Sequence, residues 1–417
     1  MPAADIRPVP LDQRTQTPFD LFIIFAGANI VATTLQVGAS LATGIPLWAA
    51  LTIIGLGALL GSVLVAALAP IGPRLGVPSI IAVRAALGIR GGTVVAVILY
   101  LTNFAWIAIN NVIAASVAAH IWGGVATTTW WILVLGVWST AIVAGGPHAV
   151  KVADRVAVPL LLVVGSVITW GVWATPQPPV ATTIGQAIPW PRGLDIVIGY
   201  QVSWILMFAD YSRYTRSERG SFVAVILGLA TTSWWLMPLG LAAARVAGST
   251  DPGVMLSAVR IGWLGATLMV LATLTTNFVN IYLSGLAWRS VFPKTHQQSA
   301  IWSIGIIGTA LGVAGGGFLD RYVDFMLVLG AMLVPVGGIL LAHFFVARRR
   351  VVVADLYDAG GPYGRTWGFS IPGLIAWVSG SVAYAIGGPF GGGTVPALVT
   401  AVTVYLAGLR VMSRRRA

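Results

Sequence analysis

Asn103, Trp106 and Asn110 fall at i, i+3 and i+7, which sets two carboxamides and an indole on one face of a helix. An indole face can stack on a flat heteroaromatic ring, and an amide offers the ring's edge a donor and an acceptor. Asn277, Asn280 and Ser284 form a second stripe at the same spacing. Ala272, Thr275 and Thr276 form a third, at i, i+3 and i+4. Hydroxyl and carbonyl oxygens without a carboxylate suit a weakly held alkali cation. Both kinds of stripe also have a plainer use. Amides on facing helices hydrogen-bond one another, and a threonine hydroxyl bonds the carbonyl one turn back.

Other chemistries have little to work with. The chain has no cysteine, four histidines and, in Glu218, a single glutamate, so thiolate, zinc and acid–base mechanisms lack their groups. Of the 417 residues, 57% are hydrophobic and only 9% charged. A soluble domain carries about 25% charge. A large soluble enzyme, a disordered chain and a nucleic-acid binder are therefore excluded, despite the net charge of +12. No cofactor and no obligate protein partner is expected; the partners implied are a small-molecule substrate and membrane lipid.

The elements that must carry these stripes are membrane helices. A span takes about 20 mostly apolar residues. Twelve such runs are expected, at 20–43, 46–70, 92–121, 129–146, 156–174, 194–210, 221–247, 261–288, 300–318, 323–346, 369–387 and 394–411. Residues 1–18 hold no apolar core of a cleavable signal and read as a cytoplasmic tail, as do 412–417. All but four of the 24 Lys and Arg fall in alternate loops on one side, leaving Arg192, Arg245, Arg260 and Arg321 on the other. The asymmetry predicts cytoplasmic N- and C-termini in an inner (plasma) membrane. The positive charge is then a topology signal, with anionic headgroups as its natural contact. His120 and His343 fall near span ends and are expected at the interface.

Two short matches suggest an internal repeat. Phe19-Asp20-Leu21 opens the first run and Leu194-Asp195-Ile196 the sixth; Ala82-Val83-Arg84 follows the second and Ala258-Val259-Arg260 the seventh. The offset covers five spans, an odd number, so mates such as Arg84 and Arg260 must lie on opposite faces. That predicts a five-plus-five inverted repeat: 19–174 as the first half, 190–347 as the second, and 369–411 as two added C-terminal helices. Such folds break the first helix of each half at the midplane. Gly27-Ala28-Asn29 in the first run and Gly199-Tyr200-Gln201-Val202-Ser203 in the sixth are the candidate breaks, although glycines also serve close helix packing. The stretches 78–89 and 251–260 are too short to span and read as short interfacial or re-entrant helices.

No Asp, Glu, Lys or Arg falls near mid-span. A proton relay or a charged substrate calls for such a group, so a neutral substrate and sodium coupling are expected. An amino-acid carrier of the same fold is a competing reading, and the Trp–amide stripe argues against it.

Asp210-Tyr211-Ser212-Arg213-Tyr214 after the sixth run, and Thr275-Thr276-Asn277-Phe278-Val279-Asn280-Ile281-Tyr282 in the eighth, resemble the nucleobase–cation symporter family. That family holds cytosine permeases, hydroxymethylpyrimidine and allantoin carriers and a hydantoin transporter. Ala376-Trp377 with Gly380, and the glycine-rich first run through Gly44, fit as well. The resemblance covers essentially the whole chain and implies a secondary carrier working by alternating access, with a cytosine-like pyrimidine as first choice. Hydroxymethylpyrimidine, hydantoin, allantoin or purine, and proton coupling, are the alternatives. By position it makes Trp106 a stacking face. It sets Asn103 where cytosine permeases bond the base through a glutamine, and Asn110 where the hydantoin carrier has one. The sixth-span aromatic position reads Gln201, flanked by Tyr200 and Trp204. Ser203 matches a hydroxyl that contacts the base, and Asn277 and Asn280 match the eighth-span amides. The implied sodium ligands are Ala272, Thr275 and Thr276, with first-span carbonyls near Gly27 and Ile30. Asp210 and Arg213 are either an inner-gate pair or a solvated one.

Overall fold

The computed structural model describes residues 6–42, 44–145, 147–176, 188–259, 261–292, 296–315 and 319–414. These residues form helices, with one isolated bridge between Gln16 and Thr215 and no strand among them. Backbone polar groups in hydrocarbon must be satisfied within their own segment, and apolar runs of this length do that as helices.

The first half opens with α1 (Pro18–Asn29), started by a capping box in which Thr17 and Asp20 satisfy each other's backbone amides. Ile30 and Val31 leave helical geometry, and α2 (Ala32–Ser40) resumes at 59° to α1. Then follow α3 (Leu47–Leu68), three short helices α4 (Ile71–Leu75), α5 (Ser79–Ala82) and α6 (Arg84–Leu87), and the long α7 (Ile89–Trp122), α8 (Thr128–Ala144) and α9 (Pro147–Ala174). The second half repeats this order. It runs α10 (Trp190–Val202) with a tight turn at Ser203–Met207, α11 (Glu218–Ala247), the short α12 (Pro252–Ala258), α13 (Gly262–Val291), α14 (Gln297–Ala314) and α15 (Tyr322–Leu341). Two further helices, α16 (Ile371–Gly391) and α17 (Thr394–Arg414), pack on each other and on α15.

Each half lends its broken helix to the other. α1 and α2 pack along α11, α10 packs along α3, and α7 packs on its mate α13. Glycines make these approaches possible. A Cβ at Gly38 would overlap the Met237 carbonyl, and one at Gly240 the Leu35 carbonyl. Gly57 and Gly61, one turn apart on α3, receive Val197 and Gln201 of α10. Large apolar side chains such as Leu60, Val137, Ile306 and Val378 are exposed on the outside, a surface suited to lipid.

Helices occupy all twelve expected stretches, but twelve spans is more than length and apolarity alone support. Eight helices of the described residues pass that test, or nine with α1–α2 taken as one span. α10 falls short because it breaks, and the apolar parts Leu162–Ala174 and Gln298–Ala314 are also shorter than a full span. The stretches at 78–89 and 251–260 hold α5 with α6, and α12. Arg84 sits on α6; Arg260 lies outside the described residues. His343 is buried rather than interfacial, with Nδ1 2.7 Å from the Tyr405 hydroxyl, because α17 covers that end of α15. His120 is half-buried where α12 docks on α7, and its Nδ1 is 2.9 Å from the Ser116 carbonyl.

Candidate substrate and ion site

The break between α1 and α2 has a local cause. Asn29 turns its amide out of the helix to Thr232 Oγ1 (2.8 Å) and Ser233 Oγ (2.9 Å) of α11. The last four carbonyls of a helix lack intrahelical donors. Here the Ile30 N–H serves Ala26 at 3.0 Å, and the Thr34 hydroxyl donates to the Asn29 carbonyl at 2.6 Å. The carbonyls of Gly27 and Ala28 have no donor among the described residues. The two breaks are tied together. The Thr34 hydroxyl proton goes to Asn29, so Tyr200 of α10 donates its own hydroxyl to Thr34 Oγ1, at 2.6 Å.

Between the breaks, α7 and α13 lies a cavity of about 210 Å³. Ligand pockets for drug-sized molecules run to about 300–1,000 Å³, so this one suits a small ring system. Gly27, Asn103, Trp106, Asn110, Tyr200, Ser203, Trp204, Thr275, Thr276 and Asn280 all line it, together with Ala28, Thr33 and Tyr211. No carboxylate lines it, and no cluster of three or more His, Cys, Asp or Glu is present among the described residues.

Four of the expected substrate and sodium residues lie outside that lining. Gln201 is fully buried against Gly61, and its Nε2 donates to Ser233 Oγ at 2.6 Å. Consecutive helical residues point about 100° apart, so with Tyr200 aimed at the cavity its neighbour faces the packed side. Asn277 Nδ2 donates to Asn111 Oδ1 at 2.7 Å, an amide pair that ties α13 to α7. Ala272 enters only through its carbonyl, which accepts from Thr275 Oγ1 at 2.7 Å and from Thr276 Oγ1 at 3.4 Å. Ile30 contributes the N–H that closes α1.

Within the cavity the amides differ. Asn103 Nδ2 already donates to Ser284 Oγ at 2.6 Å. Asn110 is 1% exposed, and neither its Nδ2 nor its Oδ1 has a hydrogen-bond partner. The Ser203 hydroxyl donates back to the Tyr200 carbonyl at 2.7 Å. Asp210 and Arg213 do not line the cavity. The Asp210 carboxylate accepts the Ser79 N–H at 3.2 Å, docking the end of the sixth run on α5. The Arg213 guanidinium lies 5.0 Å from the Tyr214 ring centroid and close enough to Asp210 to attract it.

Sequence reasoning missed the contribution of α15. The Phe325 ring meets the Trp106 indole edge-on at 5.1 Å, and Tyr200 meets it likewise at 5.9 Å. The Tyr322 hydroxyl donates to the Thr33 carbonyl at 2.9 Å. These contacts cover the α2 end of the site, while the lining continues to Ile24, Met207 and Tyr211 at the α1 end. Tyr322 and Phe325 share one helix face at i and i+3, which was the available signal.

Residues 8–407 match the family model of permeases for cytosine and purines, uracil, thiamine and allantoin. The chain belongs to this permease family. It is a multi-pass membrane transporter and not an enzyme. The permease is 23% identical to the cytosine permease of Escherichia coli K12 over 404 residues, which is 92% of this chain and 93% of that protein. Its fold is similar to that of Mhp1 in an inward-facing conformation, with TM-score 0.85, 19% identity, and coverage of 98% of this chain and 93% of that one. Mhp1, a nucleobase–cation-symport-1 family transporter, closed with bromovinylhydantoin bound, matches with TM-score 0.81 and 18% identity over 100% of this chain and 96% of that one. The exchange of broken helices between the two halves of the permease is therefore the inverted-repeat arrangement of this fold, with α16 and α17 added.

Proposed function

We propose that this permease imports a neutral, flat, nucleobase-like heterocycle, a cytosine-like pyrimidine first, by sodium symport through alternating access. The observation that carries the reading is Asn110. A buried amide with neither atom paired costs free energy. A ring edge with an acceptor next to a donor, such as the ring nitrogen and amino group of cytosine, satisfies both atoms at once. Trp106 and Trp204 both line the cavity and supply aromatic faces, with Trp204 taking the stacking place that Gln201 leaves. A lining without a carboxylate suits a neutral ligand. The Gly27 and Ala28 carbonyls with the Thr275 and Thr276 hydroxyls form an all-oxygen donor set for a hard monovalent cation.

Uptake into proteoliposomes tests this directly. Radiolabelled cytosine would be compared with uracil, hypoxanthine, hydantoin and allantoin, under a sodium gradient or a pH gradient alone. Cytosine uptake driven by sodium is the expected result; another ring of the set carried in its place changes the substrate but not the site. Replacing Asn110 by leucine is expected to weaken substrate binding roughly ten- to hundredfold, the cost of leaving the ring's polar edge unpaired. The same change should leave thermal stability equal or higher, since it removes two unpaired buried atoms. Unchanged affinity in Asn110→Leu would remove the residue from the site.

The proposed orientation places the arginine-rich loops, and both termini, in the cytoplasm. The chain has no native cysteine, so single cysteines report cleanly. In intact cells a cysteine at Arg219, before the body of α11, is expected to resist an impermeant thiol reagent, and one at Ser249, after it, to react. The opposite pattern would invert the orientation.

A further inference from the structure

A second cavity, of about 690 Å³, lies where the π turn Ala342–Val346 after α15 leads into Arg348, Arg349 and Arg350. Arg74 of α4 borders it from the other half of the molecule, and Phe344, Phe345 and Val351 supply apolar lining. It shares no lining residue with the substrate cavity.

The four guanidinium groups are not equivalent. Arg74 is matched by Glu218 at 2.6 Å and lies 5.2 Å from the Phe345 ring centroid. Arg348, Arg349 and Arg350 are exposed and have no carboxylate at ion-pair distance among the described residues. Arg348 adopts φ of +44°, a left-handed conformation that turns the chain so that three successive arginines and Val351 border one hollow. Like charges gathered this closely repel unless an anion lies between them, and the guanidinium fork matches the oxygens of a phosphate.

The position selects the form of that phosphate. The hollow sits at the end of a helix long and apolar enough to cross a membrane. Val346 and Val352 flank the arginines at 61% and 58% exposed. An acyl chain would cover these valines; a soluble phosphate ester would leave them in water. We propose that this hollow binds the phosphodiester headgroup of an anionic phospholipid, with the arginines on the phosphate and Val346, Val352 and Phe345 along the upper acyl chain.

The test uses the full-length protein in detergent, titrated with phosphatidylglycerol or phosphatidylcholine, with bound lipid counted by native mass spectrometry. Phosphatidylglycerol should be retained in preference to phosphatidylcholine and should survive excess inorganic phosphate. Arg348→Gln with Arg350→Gln should weaken that retention roughly tenfold or more, whereas Arg365→Gln, an exposed arginine outside the cavity, should not. The milder pair Arg348→Lys and Arg350→Lys keeps the charge without the fork and should retain less lipid than the unaltered protein. Equal retention of the two lipids would overturn the proposal. So would retention unaffected by both paired variants, or displacement by inorganic phosphate, which would mark a site for a soluble anion.

Discussion

Replacing Trp106 by alanine is expected to lower affinity for the transported ring by roughly ten- to hundredfold while the protein still inserts and remains monodisperse. Stacking of a base on an aromatic side chain is worth about 1–3 kcal/mol by alanine substitution. The loss at Trp106 should sit at or above the upper end of that range for a second reason. The indole holds Tyr200 and Phe325 at 5.9 and 5.1 Å, so its removal also loosens the aromatic cover at the α2 end of the site. Trp106→Phe keeps a smaller face and should recover part of the affinity. The measurement is equilibrium binding of the best ligand to purified protein, with size-exclusion elution as the check on folding. Affinity unchanged in Trp106→Ala would refute the placement of the ring against α7. The helix itself should tolerate the change, because Trp106 is half-buried and lines a cavity, whereas its neighbour Ile107 is fully buried against other helices.

Thr276→Ala is expected to raise the sodium concentration for half-maximal uptake by roughly tenfold or more, with little change in ligand affinity at saturating sodium. Removing a hydrogen-bonding partner of a charged group costs about 1.5–3 kcal/mol, and a hydroxyl ligand of a cation is comparable. Thr276 is the better target of the pair. Its Oγ1 stands 3.4 Å from the Ala272 carbonyl, a loose contact, while Thr275 Oγ1 is held at 2.7 Å. Thr273 supplies the control. It is fully buried, outside the cavity lining, and donates to the Met269 carbonyl at 2.8 Å, so Thr273→Ala should leave the sodium dependence alone. Uptake in proteoliposomes under imposed sodium and pH gradients reads both. Transport that ignores sodium and collapses only when the pH gradient is removed would overturn sodium coupling. Such a result would leave the ring site standing, since Trp106 and Asn110 are tested by binding rather than by coupling.

Much of the architecture was legible in the residues. Apolar runs long enough to cross a membrane leave helix as the main solution for the backbone, so all twelve stretches carry helices. Gly27-Ala28-Asn29 forms the last turn of α1, next to the break at Ile30 and Val31, and marked it because Asn29 carries an amide that can leave its own helix. The 3.6-residue period put Asn103, Trp106 and Asn110 on one face of α7, and all three do line one cavity. Membership of the permease family agrees with the resemblance carried by Asp210-Tyr-Ser-Arg213-Tyr and the Thr-Asn-x-x-Asn pattern.

Tertiary structure decided which polar groups meet each other instead of the cavity. Gln201 and Asn277 have the residue types of ligand-binding side chains, and their neighbours Tyr200 and Thr276 line the site. Gln201 nevertheless serves Ser233 of α11, and Asn277 serves Asn111 of α7. Periodicity states which residues of one helix share a face; it does not state which neighbouring helix occupies that face, and a rotation of about 100° per residue separates binding from packing. The cover from Tyr322 and Phe325, the loose hydroxyl of Thr276 and the unpaired amide of Asn110 all depend on where α15, α13 and α7 stand relative to the two breaks. The sequence alone determined the helices, their faces and the absence of charge at mid-span. Only the packing of helices from two exchanged halves decided which amide was left without a partner, because that depends on distances between segments far apart in the chain.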